Sequence, residues 1–202
     1  MKIKPKKKKD FLNTFINSSI KTINLIDQVK ISKIASEIKK IKDRNGRIFF
    51  IGSGGSAGNA SHAVNDFRKL CNIECYSPSD NTSELTARIN DDGWDTSYSN
   101  WLKVSKLNSK DGVFVFSVGG GSIKKKVSMN IVNVLKLAKR KKAKIFGVVS
   151  RDGGYTKKVG DVVIVLKIDE PNFVTPISES LQVLVWHCLV TDKKLQVNKT
   201  KW

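Results

Sequence analysis

Two apolar runs, each ending in a glycine- and serine-rich turn, limit most strongly what this chain can fold into. Residues 47–51 (RIFFI) lead into GSGGS at 52–56, and residues 112–117 (GVFVFS) lead into the loop SVGGGS at 117–122. Segments suited to helices follow over 56–70 and 123–142. A short continuous apolar run is typical of a strand buried on both faces. Strand, glycine turn and helix in succession therefore predict parallel βαβ units.

The same alternation continues along the rest of the chain. Further strands are predicted over 73–77, 143–149 and 162–166, and further helices over 81–89, 94–107 and 175–192, with a turn (NDDG) at 90–93 and two helical pieces within 10–44. We therefore expect a three-layer α/β sandwich with a central parallel sheet of about five strands. The N-terminal helices would precede this sheet, in one domain over residues 10–202.

The chain is strongly basic: 37 Lys and Arg against 18 Asp and Glu give a net charge of +19 over 202 residues. This charge suggests an anionic partner, such as nucleic acid, an anionic membrane surface or a phosphorylated small molecule. Residues 1–9 hold six lysines and predict a basic flexible tail. Lysine outnumbers arginine, and no run mixes basic with aromatic residues, so a solvated lysine-rich surface is favoured. Nucleic-acid contact through the tail stays an alternative.

The composition also indicates in which cellular compartment the protein is found. No uninterrupted apolar run approaches the ~20 residues of a membrane span, and the basic start lacks the apolar region of a secretory signal. The three cysteines, Cys71, Cys75 and Cys188, cannot all pair within one chain, and such a low content is not a disulfide scaffold. We therefore predict a cytoplasmic protein without a membrane span.

The two glycine turns are candidates for binding a phosphate. In parallel sheets the ligand lies at the carboxyl ends of the strands, where such turns expose backbone N–H groups and the positive ends of helix dipoles. GSGGS is not a dinucleotide motif, because Ala57 replaces the third glycine, and no Lys-Ser/Thr pair completes a Walker loop. One such turn could be purely structural. A second one favours a phosphosugar pocket.

Both histidines of the chain lie on predicted helices with a carboxylate on the same face. His62 precedes Asp66 by four residues, and His187 follows Glu179 by eight, which is about two helical turns. Two imidazoles and two carboxylates would suit a divalent metal ion, or an acid/base pair for proton transfer beside a carbonyl. The alternative is that each histidine is a lone polar residue on a half-buried helix.

Four segments in order resemble the sugar isomerase (SIS) domain family, and within it the phosphoheptose isomerase branch. They are IGSGGSAGNASH (51–62), SELTARINDDGWD (83–95), VSRDGGYTKKVGDVVI (149–164) and TPISESLQVLVWH (175–187). The resemblance covers about residues 45–192 and implies a flavodoxin-like SIS fold. It also implies a phosphosugar aldose–ketose isomerase, most closely one that converts sedoheptulose 7-phosphate to D-glycero-D-manno-heptose 7-phosphate through an enediol.

The resemblance also implies roles for individual residues. The catalytic residues would be Asp66, Glu179 and His187, and a divalent metal ion, most closely zinc, would be held by these three and His62. In relatives the sites lie at the subunit boundaries of a homotetramer, in which the N-terminal helices pack. The sugar and its phosphate would contact Ser53, Gly54, Gly55, Ser56, Asn90, Asp91, Ser117, Gly119, Gly120, Gly121, Ser122 and Thr175.

The chain departs from the family pattern at four places. Ser53 replaces a usual asparagine, and the phosphate loop keeps only the hydroxyls of Ser117 and Ser122. Asp66 replaces a glutamate, and Glu179 replaces a glutamine. Two other interpretations therefore stay open: an isomerase of another sugar phosphate, and a non-catalytic SIS protein that senses phosphosugars or partners the bacterial replication initiator.

Overall fold

The strands assemble into one parallel sheet. The protein was analysed as a computed structural model, which describes residues 10–200, so the basic tail predicted over 1–9 lies outside it. The five strands are β1 (Ile48–Ile51), β2 (Cys75–Tyr76), β3 (Gly112–Ser117), β4 (Lys144–Ser150) and β5 (Val162–Leu166). Their order is β2-β1-β3-β4-β5, and every neighbouring pair is parallel. The predicted α/β sandwich with about five parallel strands is confirmed.

Helices cover both faces of this sheet. They are α1 (Phe11–Asn24), α2 (Gln28–Asp43), α3 (Gly55–Cys71), α4 (Thr82–Asp92), α5 (Trp94–Val104), α6 (Met129–Arg140), α7 (Gly154–Val159) and α8 (Val174–Val190), with a short 3₁₀ turn at Pro171–Phe173. One core cluster joins the sheet to α2, α3 and α8, and a second joins it to α5 and α6. The strands are buried almost throughout, which explains their continuous apolar sequences.

The sheet order fixes where a site can form. After β1 and β2 the chain crosses to the other side of β1, so β1 and β3 are neighbours at the point where the order reverses. Ligands of open α/β sheets bind at such a switch point, beside the carboxyl ends of the strands. The two glycine turns that the sequence singles out follow β1 and β3 respectively, so both lie there.

Three expectations about local structure are wrong. The helix predicted over 123–142 begins only at Met129, because Lys126 and Ser128 have φ of 50° and 51°, which a right-handed helix excludes. Residues 118–128 instead form a loop closed by an antiparallel bridge between Ser122 and Val127. The second error is the NDDG turn, because its first three residues belong to α4. The third is an omission: the sequence did not lead us to expect the short helix α7.

The C-terminal segment is the one part of residues 10–200 that is long and apolar enough to cross a membrane, by length and composition alone. This segment, Pro171–Val190, is half buried within the fold. It includes α8, which packs on α2, α3 and β4. Those contacts are typical of a core helix, whose apolar surface is covered by its own protein.

The cysteines are free thiols, and two of them belong to the core. Cys71 and Cys75 are buried, whereas Cys188 is exposed. Burial raises the pKa of the Cys71 thiol to about 12 and also raises that of Cys75. Because the thiolate is the reactive form, both act as small apolar side chains at neutral pH.

Candidate active site

A cavity of about 270 Å³ lies at the carboxyl ends of β1 and β3. We call it the serine cavity, because four serine side chains line it. It contains six of the residues for which a catalytic or binding role is predicted, together with four that were not predicted. The lining residues are Ser53, Ser56, Ser117, Val118, Gly119, Val127, Ser128, Arg151, Thr175 and Glu179.

The turn after β1 is fixed by hydrogen bonds from two other elements. Gly54 has a φ of 62°, which glycine adopts without strain, and it precedes the first residue of α3. The Tyr98 hydroxyl donates to the Gly52 carbonyl oxygen at 3.0 Å. Asn130 at the start of α6 donates through Nδ2 to Ser53 Oγ, also at 3.0 Å. Ser53 is therefore held in place at the mouth of the cavity.

The loop after β3 is fixed mainly by backbone groups. Ser117 Oγ accepts the N–H of Gly120 at 3.0 Å, and the carbonyls of Gly120 and Gly121 accept N–H groups from the start of α7 at 2.9 and 2.8 Å. A serine hydroxyl that accepts a backbone N–H still has its own O–H to donate. Ser117 can therefore hold the loop and donate to a bound oxyanion at once.

Three long helices begin beside the serine cavity. They are α3, α6 and α8, and none of them has a side-chain hydrogen bond at its N-cap. Ser56 lies in the first turn of α3, Ser128 is the N-cap of α6, and Thr175 lies in the first turn of α8. The free N–H groups and the positive dipole ends at such termini favour an anion. The cavity therefore has the chemistry of a phosphate site.

Among the residues that the structure describes, Glu179 is the one carboxylate that lines this cavity. It is half-buried on α8 and lies against Gly55, where a Cβ atom would stand 2.5 Å from Glu179 Oε2. Within residues 10–200 the carboxylate makes no hydrogen bond or ion pair, whereas the Glu179 carbonyl accepts from Asn59 Nδ2 at 2.9 Å. The backbone is thus anchored while the carboxylate stays available for a ligand.

Further along α8 the second predicted group of residues comes together. His62, Asp66 and His187 each offer one ligand atom, and these atoms lie within 4.8 Å of one another. Nε2 of His62 is 3.6 Å from Asp66 Oδ2, and Nε2 of His187 is 3.3 Å from the same oxygen. We call these three residues the histidine cluster. Both imidazoles are about half exposed, so the cluster opens to solvent.

Asp66 is the buried centre of the histidine cluster. Its residue surface is only 6% exposed. Trp186 donates its Nε1–H to Asp66 Oδ2 at 3.1 Å, and Asn65 donates to Oδ1 at 3.0 Å. The sequence analysis did not single out Trp186, because a tryptophan on an apolar helix is usually a packing residue. Here it packs in the core and also orients the carboxylate.

The histidine cluster fits a divalent metal ion. Two imidazole nitrogens and one carboxylate oxygen form a donor set common in zinc sites, and three protein ligands leave a position open for substrate. Trp186 and Asn65 supply the outer hydrogen bonds that such ligands normally have. The fourth expected ligand, Glu179, is not part of this cluster within one chain.

The structure also separates some predicted residues from the cavity and adds others. Asn90 and Asp91 are exposed in the last turn of α4, where Asn90 Nδ2 donates to Asp91 Oδ1, and neither lines the serine cavity. Arg151 and Ser128 do line it. Ser128 was missed because a helix was predicted across it, although an SMN triplet before an apolar helix is an N-cap signal. Arg151 was not singled out as a site residue in the sequence.

Comparisons with known proteins agree with this geometry. No family model matches the chain. It is 30% identical over 173 residues to a phosphoheptose isomerase of Aliarcobacter butzleri, covering 82% of this chain and 84% of that protein. It is 28% identical over 190 residues to a probable phosphoheptose isomerase of Thermoplasma volcanium, covering 90% of each.

A third relative is longer. The chain is 35% identical over 148 residues to the lincomycin biosynthesis protein LmbN of Streptomyces lincolnensis, covering 68% of this chain but only 52% of that protein. The chain thus matches about half the length of LmbN.

Solved structures show the same fold. A phosphoheptose isomerase from Neisseria gonorrhoeae aligns with a TM-score of 0.75 at 21% identity, over 89% of this chain and 93% of that one. One from Francisella tularensis aligns with a TM-score of 0.73 at 19% identity, over 89% and 92%. With the sequence relatives, the switch-point cavity and the two histidines brought together, the chain belongs to the phosphoheptose isomerase family.

Proposed function

We propose that this protein interconverts sedoheptulose 7-phosphate and D-glycero-D-manno-heptose 7-phosphate through an enediol. The observation that carries the proposal is that one helix bears both a carboxylate of the serine cavity and an imidazole of the histidine cluster. α8 bears Glu179 in the serine cavity and His187 in the histidine cluster. Eight residues separate them, about 12 Å along the helix axis, which leaves room for the reacting end of a sugar between the side chains.

The serine cavity holds the phosphate in this proposal. Ser53, Ser56 and Ser117 donate hydroxyls, and the N-termini of α3 and α6 supply backbone N–H groups. Arg151 adds a positive charge at the rim. Binding the non-reacting phosphate in this way positions the carbonyl end for reaction, so remote binding energy serves catalysis.

Glu179 is the proposed base and His187 the proposed acid. The sequence left Asp66 and Glu179 as alternatives for the base. Asp66 is buried and accepts two N–H groups, whereas the carboxylate of Glu179 faces the cavity without a partner within residues 10–200. Glu179 Oε would remove the proton beside the carbonyl. His187 directs Nε2 at Asp66, so its other ring nitrogen, Nδ1, would donate to the carbonyl oxygen.

The histidine cluster is the proposed site of a zinc ion, held by His62, Asp66 and His187. A bound zinc ion polarises substrate oxygens and so lowers the cost of forming the enediolate. The protein's own contribution is orientation. Trp186 fixes Asp66, and Asp66 in turn lies against both imidazoles. The two rings meet edge to face, with centroids 5.7 Å apart.

The active form is proposed to be a cytoplasmic homotetramer whose sites draw on neighbouring subunits. This rests on an apolar row along α1 that the rest of the described chain leaves uncovered. Leu12, Ile16, Ile20 and Ile23 are all exposed there. A row of four large apolar side chains on one helix is typical of an interface, so α1 would pack against a second copy.

The direct test of the activity is incubation with sedoheptulose 7-phosphate and identification of the aldose formed. We expect D-glycero-D-manno-heptose 7-phosphate, and we expect His187→Gln to lower turnover at least ~100-fold with folding intact. Cys188→Ser, an exposed neighbour on the same helix, is the control and should keep normal turnover.

Each contrary outcome of this assay has one meaning. If the wild-type protein forms no aldose but isomerises another sugar phosphate, the substrate is wrong. If it binds phosphosugars without turnover, the sensor interpretation is correct. Near-normal turnover of His187→Gln removes His187 from the reaction.

Gly55→Ala tests the role of Glu179 without touching its carboxylate. A Cβ at residue 55 would stand 2.5–2.7 Å from the Glu179 carboxyl atoms and displace them, whereas a Cβ at Gly58 in the same helix meets nothing within 4 Å. We expect Gly55→Ala to lower kcat/KM about tenfold or more, a loss of about 1.4 kcal/mol of transition-state stabilisation. The melting temperature should stay unchanged, because the atoms that must move are the far end of the flexible Glu179 side chain. Gly58→Ala should be normal. Full activity of Gly55→Ala would show that Glu179 is not the base.

Trp186→Phe tests whether the hydrogen bond from Trp186 to Asp66 supports the proposed zinc site. The change removes the Nε1–H that Asp66 Oδ2 accepts. Zinc affinity, measured by competition with a chromogenic chelator, should fall about tenfold or more. Trp101→Phe, a half-buried tryptophan on the opposite face of the sheet, should leave zinc affinity unchanged. Equal zinc affinity of Trp186→Phe and the wild type would contradict the metal role of Asp66.

Ile16→Asp combined with Ile20→Asp tests the assembly. Two carboxylates in the exposed apolar row oppose burial against a second copy, because desolvating an unpaired charge is costly. Light scattering after size exclusion should show the wild type at four times the chain mass and the variant at a lower mass. Val104→Asp, at an exposed valine on α5, is the control. A variant that keeps the wild-type mass would exclude α1 from the interface.

A further inference from the structure

A second cavity, of about 440 Å³, lies on the other side of the loop after β3. We call it the lysine pocket. Its cationic side chains are Lys124, Lys125, Arg151 and Lys158. It shares Gly119, Val127 and Arg151 with the serine cavity, so the two cavities are contiguous around one loop. Gly121 and Ser122, which were predicted to contact the sugar phosphate, line the lysine pocket and not the serine cavity.

The cations of the lysine pocket are not used by the fold. Within residues 10–200 none of the four side chains makes a hydrogen bond or ion pair. Other basic residues do, such as Arg47 with Asp111 and Arg88 with Glu84. One acid lines the pocket, Asp152, and one oxygen of its carboxylate accepts the N–H of Gly154. The pocket therefore concentrates positive charge in a concave surface, where the electrostatic potential is focused.

The walls of the lysine pocket are fixed without these cations. The bridge between Ser122 and Val127 closes the loop with hydrogen bonds of 2.9 and 3.1 Å. Tyr155 N–H donates to the Gly121 carbonyl at 2.8 Å, which ties the loop to α7. Because backbone groups hold the walls, the lysines are free to contact a ligand. Substituting them should not unfold the pocket.

Charge and surface together indicate the class of ligand. With the serine cavity empty, four cations and one acid leave a surplus of three positive charges among the lining residues, which a phosphate monoester would not neutralise but a diphosphate nearly would. Arg151 is shared, so the sugar phosphate and a diphosphate would compete for it. Ile123 and Val127 are exposed at the pocket, and Tyr155 adds a half-buried ring, so part of the lining is apolar. A cavity of this volume is in the range of small-molecule sites, which combine apolar walls with a few placed charges.

We propose that the lysine pocket binds a small organic molecule that carries two phosphate groups, separately from the sugar in the serine cavity. A sugar bisphosphate and a nucleoside diphosphate both have this chemistry. Because Gly119, Val127 and Arg151 belong to both cavities, such a ligand would also change the affinity for the phosphosugar. That regulatory part rests on the proposed function; the binding itself does not.

Binding is tested by calorimetry on the full chain without any substrate. The probes are fructose 1,6-bisphosphate, ADP, pyrophosphate and inorganic phosphate. We expect one of the two organic diphosphates to bind at least about tenfold more tightly than inorganic phosphate, and the tighter of the two identifies the source. Lys125→Gln with Lys158→Gln should weaken that binding about tenfold or more.

The matched control removes the same charge elsewhere. Lys110→Gln with Lys141→Gln changes two exposed lysines at the opposite edge of the sheet and should bind like the wild type. Equal loss in both double variants would show a non-specific charge effect and overturn the proposal. So would inorganic phosphate or pyrophosphate binding as tightly as the organic ligands, or no saturable binding up to about 1 mM.

Turnover separates this proposal from the proposed function. With sedoheptulose 7-phosphate alone, the variant Lys125→Gln with Lys158→Gln should keep the wild-type kcat, and the tighter diphosphate should change KM for the wild type but not for this variant. A diphosphate that binds without any effect on KM would overturn the regulatory part. A wild-type protein that binds the diphosphate but converts no heptose phosphate would overturn the proposed function and leave the lysine pocket intact.

Discussion

The position of β1 beside β3 is the constraint on which the rest of the site depends. Both strands end in glycine turns, and only their adjacency at the switch point brings Ser53 and Ser117 to one cavity. The same edge collects the N-termini of α3, α6 and α8, so three helix dipoles meet there. An anion site of this kind needs little side-chain charge, because oriented backbone groups supply the field.

Much of this arrangement was predictable from the sequence, and the parts that were not have physical reasons. Apolar runs with glycine turns identified the parallel sheet, because a strand buried on both faces has little freedom in composition. The start of α6 was placed too early, since Ile123 and the lysines after it suit a helix, and only the left-handed backbone at Lys126 and Ser128 prevents one. Arg151 was missed because its importance comes from a tertiary contact between two loops.

Two departures from the family pattern, at Ser53 and in the loop after β3, can be understood from the hydrogen bonds around them. Ser53 stands where the resemblance places an asparagine, and its Oγ accepts from Nδ2 of the fully buried Asn130. The loop after β3 has fewer hydroxyls than the resemblance implies, yet Ser117 still holds it closed by accepting the Gly120 N–H. At both places a neighbouring side chain or backbone group fixes the serine that remains.

Asp66 shows why the histidine cluster needs a positive charge. A carboxylate that is 6% exposed loses most of its hydration, and two neutral N–H donors, from Trp186 and Asn65, recover only part of that cost. The remaining neighbours within ion-pair distance, among residues 10–200, are the two imidazoles. Two imidazole nitrogens and one carboxylate oxygen form a donor set that suits a divalent ion, and the positive charge of such an ion would compensate the buried carboxylate.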